Sequence, residues 1–484
     1  MDTKQLKQKI LDLAIRGKLV PQDSNDEPAS VLLERIRKEK EQLIAAGKLK
    51  KSKAKASDTP HYENVPFEIP DSWEWVTLPD LCTIPITDGT HQTPTYAEKQ
   101  DGIPFLSSKD VTTGKINWSD IKYITKELHQ ELYKRVAPQR NDILLAKNGT
   151  TGVAALVDTD IVFDIYVTLA LIRPVKYILP QYLLYVINSH FCKEQFNDHL
   201  TGIGLPNLHL RDINKTFIPL PPFEEQKRIV DKLNNWFEHI ENLDTNREEL
   251  QRFIQQTKSK ILSYAISGKL VSQDPSDEPA IDLLRRINPS FTPCDTSHYE
   301  NLPQGWTVAS VDQLCTVIGG LWTGKKPPFV NIGVIRNTNF TKDFKLDLAN
   351  TAYLDVEAKQ FATRRLQQGD IILEKSGGSE KQPVGRTILF DLKEGEYSFS
   401  NFTAVLRIKD KNILLPKYLH FALVNAYLNG ATRFMQKQTT GIHNLIMDKY
   451  VALTIPIPPL AEQKRIVVAI ENVFQKLDKI TAEL

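Results

Sequence analysis

At 484 residues the chain is long enough for several domains, and 41% hydrophobic with 25% charged residues describes an ordinary globular sequence, neither disordered nor membrane-embedded. A formal net charge of +2 neither requires nor excludes nucleic acid, because charge can be segregated by face. The four cysteines lack close spacing, which argues against a disulfide framework or zinc site; no long apolar run and no signal peptide is present, so a cytoplasmic location is expected.

The chain opens on a segment that returns later. KQKILDLAIRGKLV, Lys7 to Val20, matches TKSKILSYAISGKLV ending at Val271, and SNDEPASVLLERI matches PSDEPAIDLLRRI. Each copy reads as a turn at Gly17 or Gly268 followed by a short helix. The first copy runs on into RKEKEQLIAAGKLKKSKAKAS, with five lysines between 48 and 55. A solvated helix tip leading into a flexible linker is one reading of it; a phosphate-contacting basic arm is the other.

Both halves then restart with the tetrapeptide HYEN, at His61 and His298, followed by a Trp (Trp73, Trp306) and an LCT strand. Cys82 and Cys315 hold matching places and read as buried small residues. Segments 61–222 and 298–459 read as mixed strand and helix. Strands are expected at DILLA (142–146) and DIILE (370–374), and through Leu169–Ile172 and Val405–Ile408. Helices are expected after Leu179 and Leu415. Gly204 and Asn207 match Gly441 and Asn444. Between these landmarks the halves diverge: DGTHQTPTYAEKQDGIPFLSSKDV has little in common with VIGGLWTGKKPPFVNIGVIRNTNF, and KNGTTGVAALVD departs from KSGGSEKQPVGRTILF. A shared scaffold presenting different loops is the pattern of two readers of different ligands.

Each half then reaches the most recognisable stretch, PLPPFEEQKRIV and PIPPLAEQKRIV, with Glu225 and Glu462 at matching places. The prolines hold the chain extended and forbid a helix upstream. The acids Glu224, Glu225 and Glu462 sit where a helix dipole favours negative charge. Ile229, Leu233, Trp236, Ile240, Leu243, Arg247, Leu250, Ile254, Thr257 and Ile261 follow at alternating spacings of four and three. That heptad seam predicts a long helix packed against another. The second copy continues through Ile466, Ile470, Val473, Leu477, Ile480 and Leu484. The N-terminus thus carries the back half of a helical unit, the middle a full unit and the C-terminus a front half. This is the pattern of a circularly permuted duplication, and it predicts one continuous and one split helical assembly with the chain ends close together.

Catalytic signatures are missing. GGLWTGKK, Gly319 to Lys326, ends in Lys where a P-loop needs Ser or Thr, and Pro327 and Pro328 follow where its helix would run. Asp370, Glu374 and Lys375 invite a nuclease reading, but the first half has Asp142, Ala146 and Lys147, and a divalent-ion site needs both acids. Polar residues at strand ends are the better reading. No nucleophile elbow, HExxH or NPPY-type methyl-transfer motif occurs.

Taken together, PLPPFEEQKRIV and PIPPLAEQKRIV, the permuted repeat and the paired variable segments resemble the specificity subunits of type I restriction–modification enzymes. The resemblance covers essentially the whole chain; the lysine-rich extension at 48–55 departs from it. It implies an α+β fold: two pseudo-twofold-related mixed α/β target-recognition domains joined by two long antiparallel coiled-coil helical regions. The expected boundaries are 1–60 and 460–484 for the split helical region, 61–222 and 298–459 for the recognition domains, and 223–297 for the central helical region. The implied function is non-catalytic. Each domain reads one half of an asymmetric bipartite site on double-stranded DNA, and the helices set the spacer and dock methyltransferase subunits, two in number. Restriction/translocase subunits complete the complex. No cofactor is expected in this chain; S-adenosylmethionine and ATP belong to the partners.

Base edges need forked or amide side chains, and phosphates need cations or hydroxyls. The candidates in the first domain are Thr90, His91, Gln92, Tyr96, Ser108, Lys109, Lys147, Asn148 and Thr150. In the second they are Trp322, Lys325, Lys326, Arg336, Asn337, Lys375, Ser376, Lys381 and His443. Lys147 and Lys375 follow equivalent strands, which predicts a shared phosphate contact, while Asn207 and Asn444 read as turn residues supporting the fold. A rival from another class is a scaffold gripping two protein partners, with no DNA role.

Overall fold

The computed structural model describes residues 2–45, 67–198, 207–295, 299, 301–322, 324, 326–380, 382–439 and 441–484. The lysine-rich stretch 48–55 lies outside them. The chain divides into two compact units, Met1–Asn246 and Arg247–Leu484.

Unit 1 runs α1 (Thr3–Ile15), α2 (Ala29–Ala45), β1 (Glu74–Thr77), β2 (Thr87–Asp88), β3 (Ile103–Leu106), β4 (Lys122–Ile124), α3 (Lys126–Arg135) and β5 (Ile143–Ala146). It continues with β6 (Ala154–Leu156), β7 (Asp164–Ile165), β8 (Leu169–Ile172), α4 (Pro180–Ile187), α5 (His190–Asn197), α6 (Leu210–Ile213), β9 (Phe217–Leu220) and the first part of α7 (Phe223–Ile266). Unit 2 holds the rest of α7, then α8 (Ala280–Ile287), β10 (Thr307–Ser310), α9 (Val311–Leu314), β11 (Cys315–Gly319), β12 (Phe329–Ile335), β13 (Ala352–Glu357) and α10 (Ala358–Arg364). There follow β14 (Asp370–Glu374), β15 (Ser376–Gly378), β16 (Thr387–Phe390), β17 (Tyr397–Phe399), β18 (Thr403–Ile408) and α11 (Pro416–Leu428). The last elements are β19 (Gln436–Thr439), β20 (Ile442–Leu445), α12 (Met447–Val451), β21 (Thr454–Ile457) and α13 (Leu460–Glu483).

The two heads share one topology. In unit 1 the sheets are β2-β8-β5-β6, β4-β3-β7 and β1-β9; in unit 2 their counterparts are β11-β18-β14-β16, β13-β12-β17 and β10-β21, and unit 2 adds a fourth, β15-β20-β19, without a counterpart among the described residues of unit 1. The expected strands at 142–146, 169–172, 370–374 and 405–408 and the helices after Leu179 and Leu415 are present. The LCT strand forms only in unit 2, where Cys315 opens β11; in unit 1 Leu81 ends a 3-10 turn and Cys82 makes a single bridge to Pro174. Strand β5 is buried on both faces, and its alternation divides its residues between two cores. Ile143 and Leu145 join the cluster that includes the helices α1, α2 and α7; Leu144 and Ala146 join a second cluster with Leu106, Phe163 and Ile165. Ile371 and Leu373 against Ile372 repeat this in unit 2. Each strand pair is pinned by an acid: Arg173 makes a two-pronged contact with Asp142 at 2.7 Å on each oxygen, and Arg407 does the same to Asp370 at 2.9 and 2.7 Å.

The repeated EQKRIV stretch is the joint of each unit. Glu225 is buried and accepts from the Trp73 indole at 2.9 Å and from Gln22 at 2.7 Å. Glu462 accepts from Trp306 at 2.9 Å and Gln273 at 3.0 Å. The next residue, Gln226 or Gln463, takes the backbone N–H of Leu179 or Leu415, each at 2.9 Å, and so caps the helix that follows. Arg228 reaches Asp26, and Arg465 reaches Asp277. Tyr182 and Tyr418 close the joint by donating to the carbonyls of Pro219 and Pro456. The turn glycines face prolines so closely that a Cβ on Gly17 would lie 2.4 Å from Pro70 Cγ, and one on Gly268 would lie 2.3 Å from Pro303 Cγ. Both also hold positive φ, +66° and +71°.

These contacts regroup the helices. Within unit 1, α1 runs antiparallel to the first part of α7, with Lys7 beside Glu241 and Asp26 beside Arg228. Within unit 2, the later part of α7 runs antiparallel to α13, with Lys258 on Asp478 and Asp277 on Arg465. Each unit therefore pairs a back-half helix with a front-half helix, and α7, unbroken over 44 residues, is the continuous member of both pairs while α1 and α13 are the pieces of the split one, as the permuted repeat predicts. The heptad seam is buried at Ile229, Leu233, Ile240 and Ile254 but exposed at Trp236, Leu243 and Leu250. A 13-residue α1 spans only about 20 Å at ~1.5 Å per residue, too short to cover the seam's full length. Among the described residues no helix is long and apolar enough to cross a membrane.

Candidate nucleic-acid interface

Four chain segments meet at the same place on each head. In unit 1 the residue after β5, Lys147, gives its N–H to the carbonyl of Thr168 and its carbonyl to Leu208 N. Ser108, in the turn after β3, donates its N–H to Thr168 Oγ1 at 3.0 Å, and Asn148 bridges to Asn207. In unit 2 the counterparts are Lys375, Phe402, Leu445, Asn337, Ser376 and Asn444: Lys375 N and Ser376 N both bond the Phe402 carbonyl, and Lys375 O takes Leu445 N. Asn337 Nδ2 donates to Ser376 O at 2.5 Å, and Ser376 Oγ donates to Asn444 Oδ1 at 2.7 Å. Candidates Ser108, Lys147 and Asn148 thus occupy the places of Asn337, Lys375 and Ser376, and Asn207 and Asn444 serve as struts.

The shared phosphate contact expected of Lys147 and Lys375 is not what the geometry provides. Lys147 is buried, with Nζ 2.5 Å from Asp88 Oδ2. Burial would raise the Asp88 carboxyl, but the Lys147 ammonium and His91 overcome this and hold it below the ordinary carboxylate range. Arg135 also reaches Asp88, at 3.4 Å. Strand register places Gly319 of unit 2 where unit 1 has Asp88, since both pair with the matching alanines, Ala404 and Ala170. Lys375 therefore lacks an acidic partner among the described residues and is only half-buried.

The remaining candidates scatter. Thr90 is buried, its N–H on Ile165 O and its Oγ1 taking Gln92 N; His91 is exposed beside Asp88, and Gln92 is exposed. Gly89 just before them needs its missing Cβ, which would sit 1.9 Å from Ile165 O, and Gly320 stands equally close to Ser400 O. Tyr96 stacks under Lys122 at 4.4 Å, and Lys109 is held by Asp120 O at 2.7 Å. Thr150 is exposed. Trp322 is 68% exposed and Lys326 N bonds Glu357; neither contacts the junction. Arg336 is exposed at the junction's rim, donating to Asn350 O at 3.1 Å. His443 lies on β20, paired with Gln438 and with Gly378. Lys325 and Lys381 fall outside the described residues.

Three features escaped the sequence reading. The hairpin β19–β20 stands beside the junction, carrying Lys437 and Gln438 exposed. Phe402 is 45% exposed at the junction, where unit 1 has Thr168, and Phe434 before the hairpin is 83% exposed. Asn337 Oδ1 and His443 Nδ1 are buried without a hydrogen-bond partner among the described residues. The nuclease reading of Asp370 and Glu374 finds each acid bound by an arginine instead: Arg407 on Asp370, and Arg386 on Glu374 at 2.8 and 3.0 Å. No group of three or more acidic, histidine or cysteine side chains able to hold a metal occurs among the described residues.

Comparison with known proteins agrees with this construction. The family described as type I restriction modification DNA specificity domain matches twice, over residues 70–252 and 303–484. The EcoEI specificity subunit of Escherichia coli is 27% identical over 573 aligned positions, covering 99% of this chain and 90% of that one. The EcoAI specificity subunit of Escherichia coli is 26% identical, again covering 99% and 90%. A solved structure described as the structural basis underlying complex assembly and conformational transition of the type I R-M system matches with a TM-score of 0.54 at 19% identity, covering 86% of this chain and 94% of that one, which shows a common fold. The chain belongs to the type I restriction modification DNA specificity family. It is a DNA specificity subunit of such a system, the recognising and non-catalytic component, and the scaffold alternative finds no support.

Proposed function

We propose that this specificity subunit reads a bipartite, asymmetric DNA site, one half with each head, and that the four-segment junction of each unit is where bases and phosphates are contacted. The observation that carries this is the identical frame with unlike residues at equivalent places: Asp88 against Gly319, Ser108 against Asn337, Thr168 against Phe402. Two heads with the same residues at these places would read the same bases and predict a palindrome. Specificity comes from side chains aimed at base edges, while affinity comes from phosphate contacts. Arg336, Asn337, Lys375, Ser376 and His443 are the contacts proposed for one half, and Thr90, His91, Gln92, Asn148 and Thr150 for the other.

The helices of each unit dock the partner subunits, two methyltransferases in this proposal, and a restriction/translocase subunit joins them. S-adenosylmethionine and ATP are used by those partners. Residues 61–222 and 298–459 act as the recognition domains, and α7 sets the unread spacer. The test is a map of methylated positions in cells with and without this gene. A gene-dependent motif of two unlike halves separated by a fixed spacer is the expected result. A palindromic motif would overturn the asymmetric reading, and no gene-dependent methylation would overturn the assignment.

A further inference from the structure

The hairpin Gln436–Leu445 is built unlike anything else on its head. β19 and β20 pair from Gln436↔Leu445 to Thr439↔Ile442, and Gly441 just before β20 holds φ +80°. Its root is fixed three ways. β15 pairs along β20 through Ser376↔Asn444, Ile446 N bonds Met435 O, and Gln436 Oε1 takes Val384 N. Leu445 at the root is buried, whereas Lys437, Gln438 and Ile442 further out are exposed. A strand pair that leaves the core carrying an amide, a cation and an imidazole on its outer rungs has no packing role to explain them.

We propose that this ribbon is a base-reading element for the half-site of unit 2, resting on the reading that the head binds DNA. A two-stranded ribbon fits the major groove, which is about 12 Å wide, because paired strands lie only ~4.8 Å apart. Gln438 and His443 face each other across the ladder and so present their side chains on one face. Gln438 supplies the amide that bonds adenine N6 and N7 together, and His443 supplies a ring nitrogen to a neighbouring base edge. Lys437 points to the opposite face, where it meets a phosphate. The root contacts join the ribbon to Ser376 and, through Asn337 on Ser376 O, to Arg336 at the rim, so the ribbon and the junction form one continuous surface.

The experiment uses the assembled methyltransferase complex, with its motif determined by binding selection from randomised duplex DNA. Gln438→Ala is expected to relax one position, or two adjacent ones, in one half of the motif about tenfold or more, leaving the other half intact. Lys437→Ala is expected to weaken all sequences alike and lower the slope of log affinity against log salt by about 0.9. The remaining positions of the same half-site, still selected, report that unit 2 is folded in the variants. An unchanged motif for both Gln438→Ala and His443→Ala, with the wild type reading a bipartite site, overturns the ribbon and leaves the wider reading standing. A wild-type complex that selects no bipartite motif overturns both.

Discussion

Lys147 and Asp88 form a buried ion pair, Nζ to Oδ2 at 2.5 Å, in the first head, at a place where the second head has a lysine without an acid among the described residues. Removing one partner of a buried pair leaves the other charge uncompensated and destabilises by about 3–5 kcal/mol, whereas replacing both by apolar residues of similar volume is near neutral. Asp88→Val is therefore expected to lower the melting temperature of unit 1 sharply, and Asp88→Val with Lys147→Met to recover most of the loss. The pair also sets an acid limb. Asp88 titrates below the ordinary carboxylate value, so its contribution is present above that value and lost as pH falls through its folded pKa. The double variant should unfold less steeply in that acid range than the wild type. Equal acid limbs would show that the pair is not formed in solution.

The two indole–carboxylate contacts give a paired prediction. Trp73→Phe and Trp306→Phe each remove the indole N–H, stranding one oxygen of Glu225 or Glu462, both buried, and also remove part of the ring volume, which adds a cavity cost. An unsatisfied buried acceptor costs about 1–3 kcal/mol. Thermal melts should show losses of similar size for the two variants, additive in the double variant because the sites lie in separate units. Burial outweighs the hydrogen bonds and raises the Glu225 carboxyl, so its ionised form is already penalised. A loss in one variant only would mean that the joints are not equivalent.

These joints were the most legible part of the chain. EQKRIV appears twice with proline before it and apolar heptad positions after it, and the structure uses nearly every letter: Glu for the indole, Gln for the N–H of the N-cap residue of an earlier helix, Arg for an aspartate, Ile for the core. DILLA and DIILE were legible because a strand buried on both faces reads as an unbroken apolar run. Lys147 was not legible, because its partner lies 59 positions away and only the β2–β8–β5 register brings Asp88 over it. The hairpin was missed for a different reason: QKQTTGIHNL has no apolar alternation, and a ribbon that leaves the core needs none. The heptad seam was legible as the stripe of one long helix packed against others, but a spacing of four and three does not say that its partner comes in two pieces, α1 and α13, nor that Trp236, Leu243 and Leu250 stay exposed.

Cysteine chemistry separates buried from accessible thiols. Burial pushes the thiols of Cys82, Cys192 and Cys315 up to about 12, whereas Cys294 is half-buried. The thiolate is the reactive form, so at pH 8 brief treatment of the native protein with iodoacetamide should modify Cys294 and spare the other three until the chain is denatured. Peptide mass spectrometry of native and urea-treated samples checks this. Native labelling of Cys82 or Cys315 would show that the LCT segments are not packed into the core.

The unequal lysines make the sharpest functional prediction. Lys375 is half-buried with no acid on it among the described residues, so Lys375→Ala should weaken binding to every duplex by a similar factor and reduce the salt slope by about 0.9, the value for one phosphate on B-DNA. Lys147 is neutralised by Asp88, so the double variant Asp88→Val, Lys147→Met, which removes one charge of each sign, should keep the wild-type salt slope. Arg336 is exposed beside Asn337 and carries a forked head, and Arg336→Ala should relax discrimination at one base of the second half-site by about 1–3 kcal/mol while leaving the first half-site intact. Filter binding across salt concentrations, with single-base variants in each half, distinguishes the three. If Lys147 and Lys375 change the slope equally, the aspartate does not neutralise its lysine in the complex, and the asymmetry between Asp88 and Gly319 has no consequence for DNA.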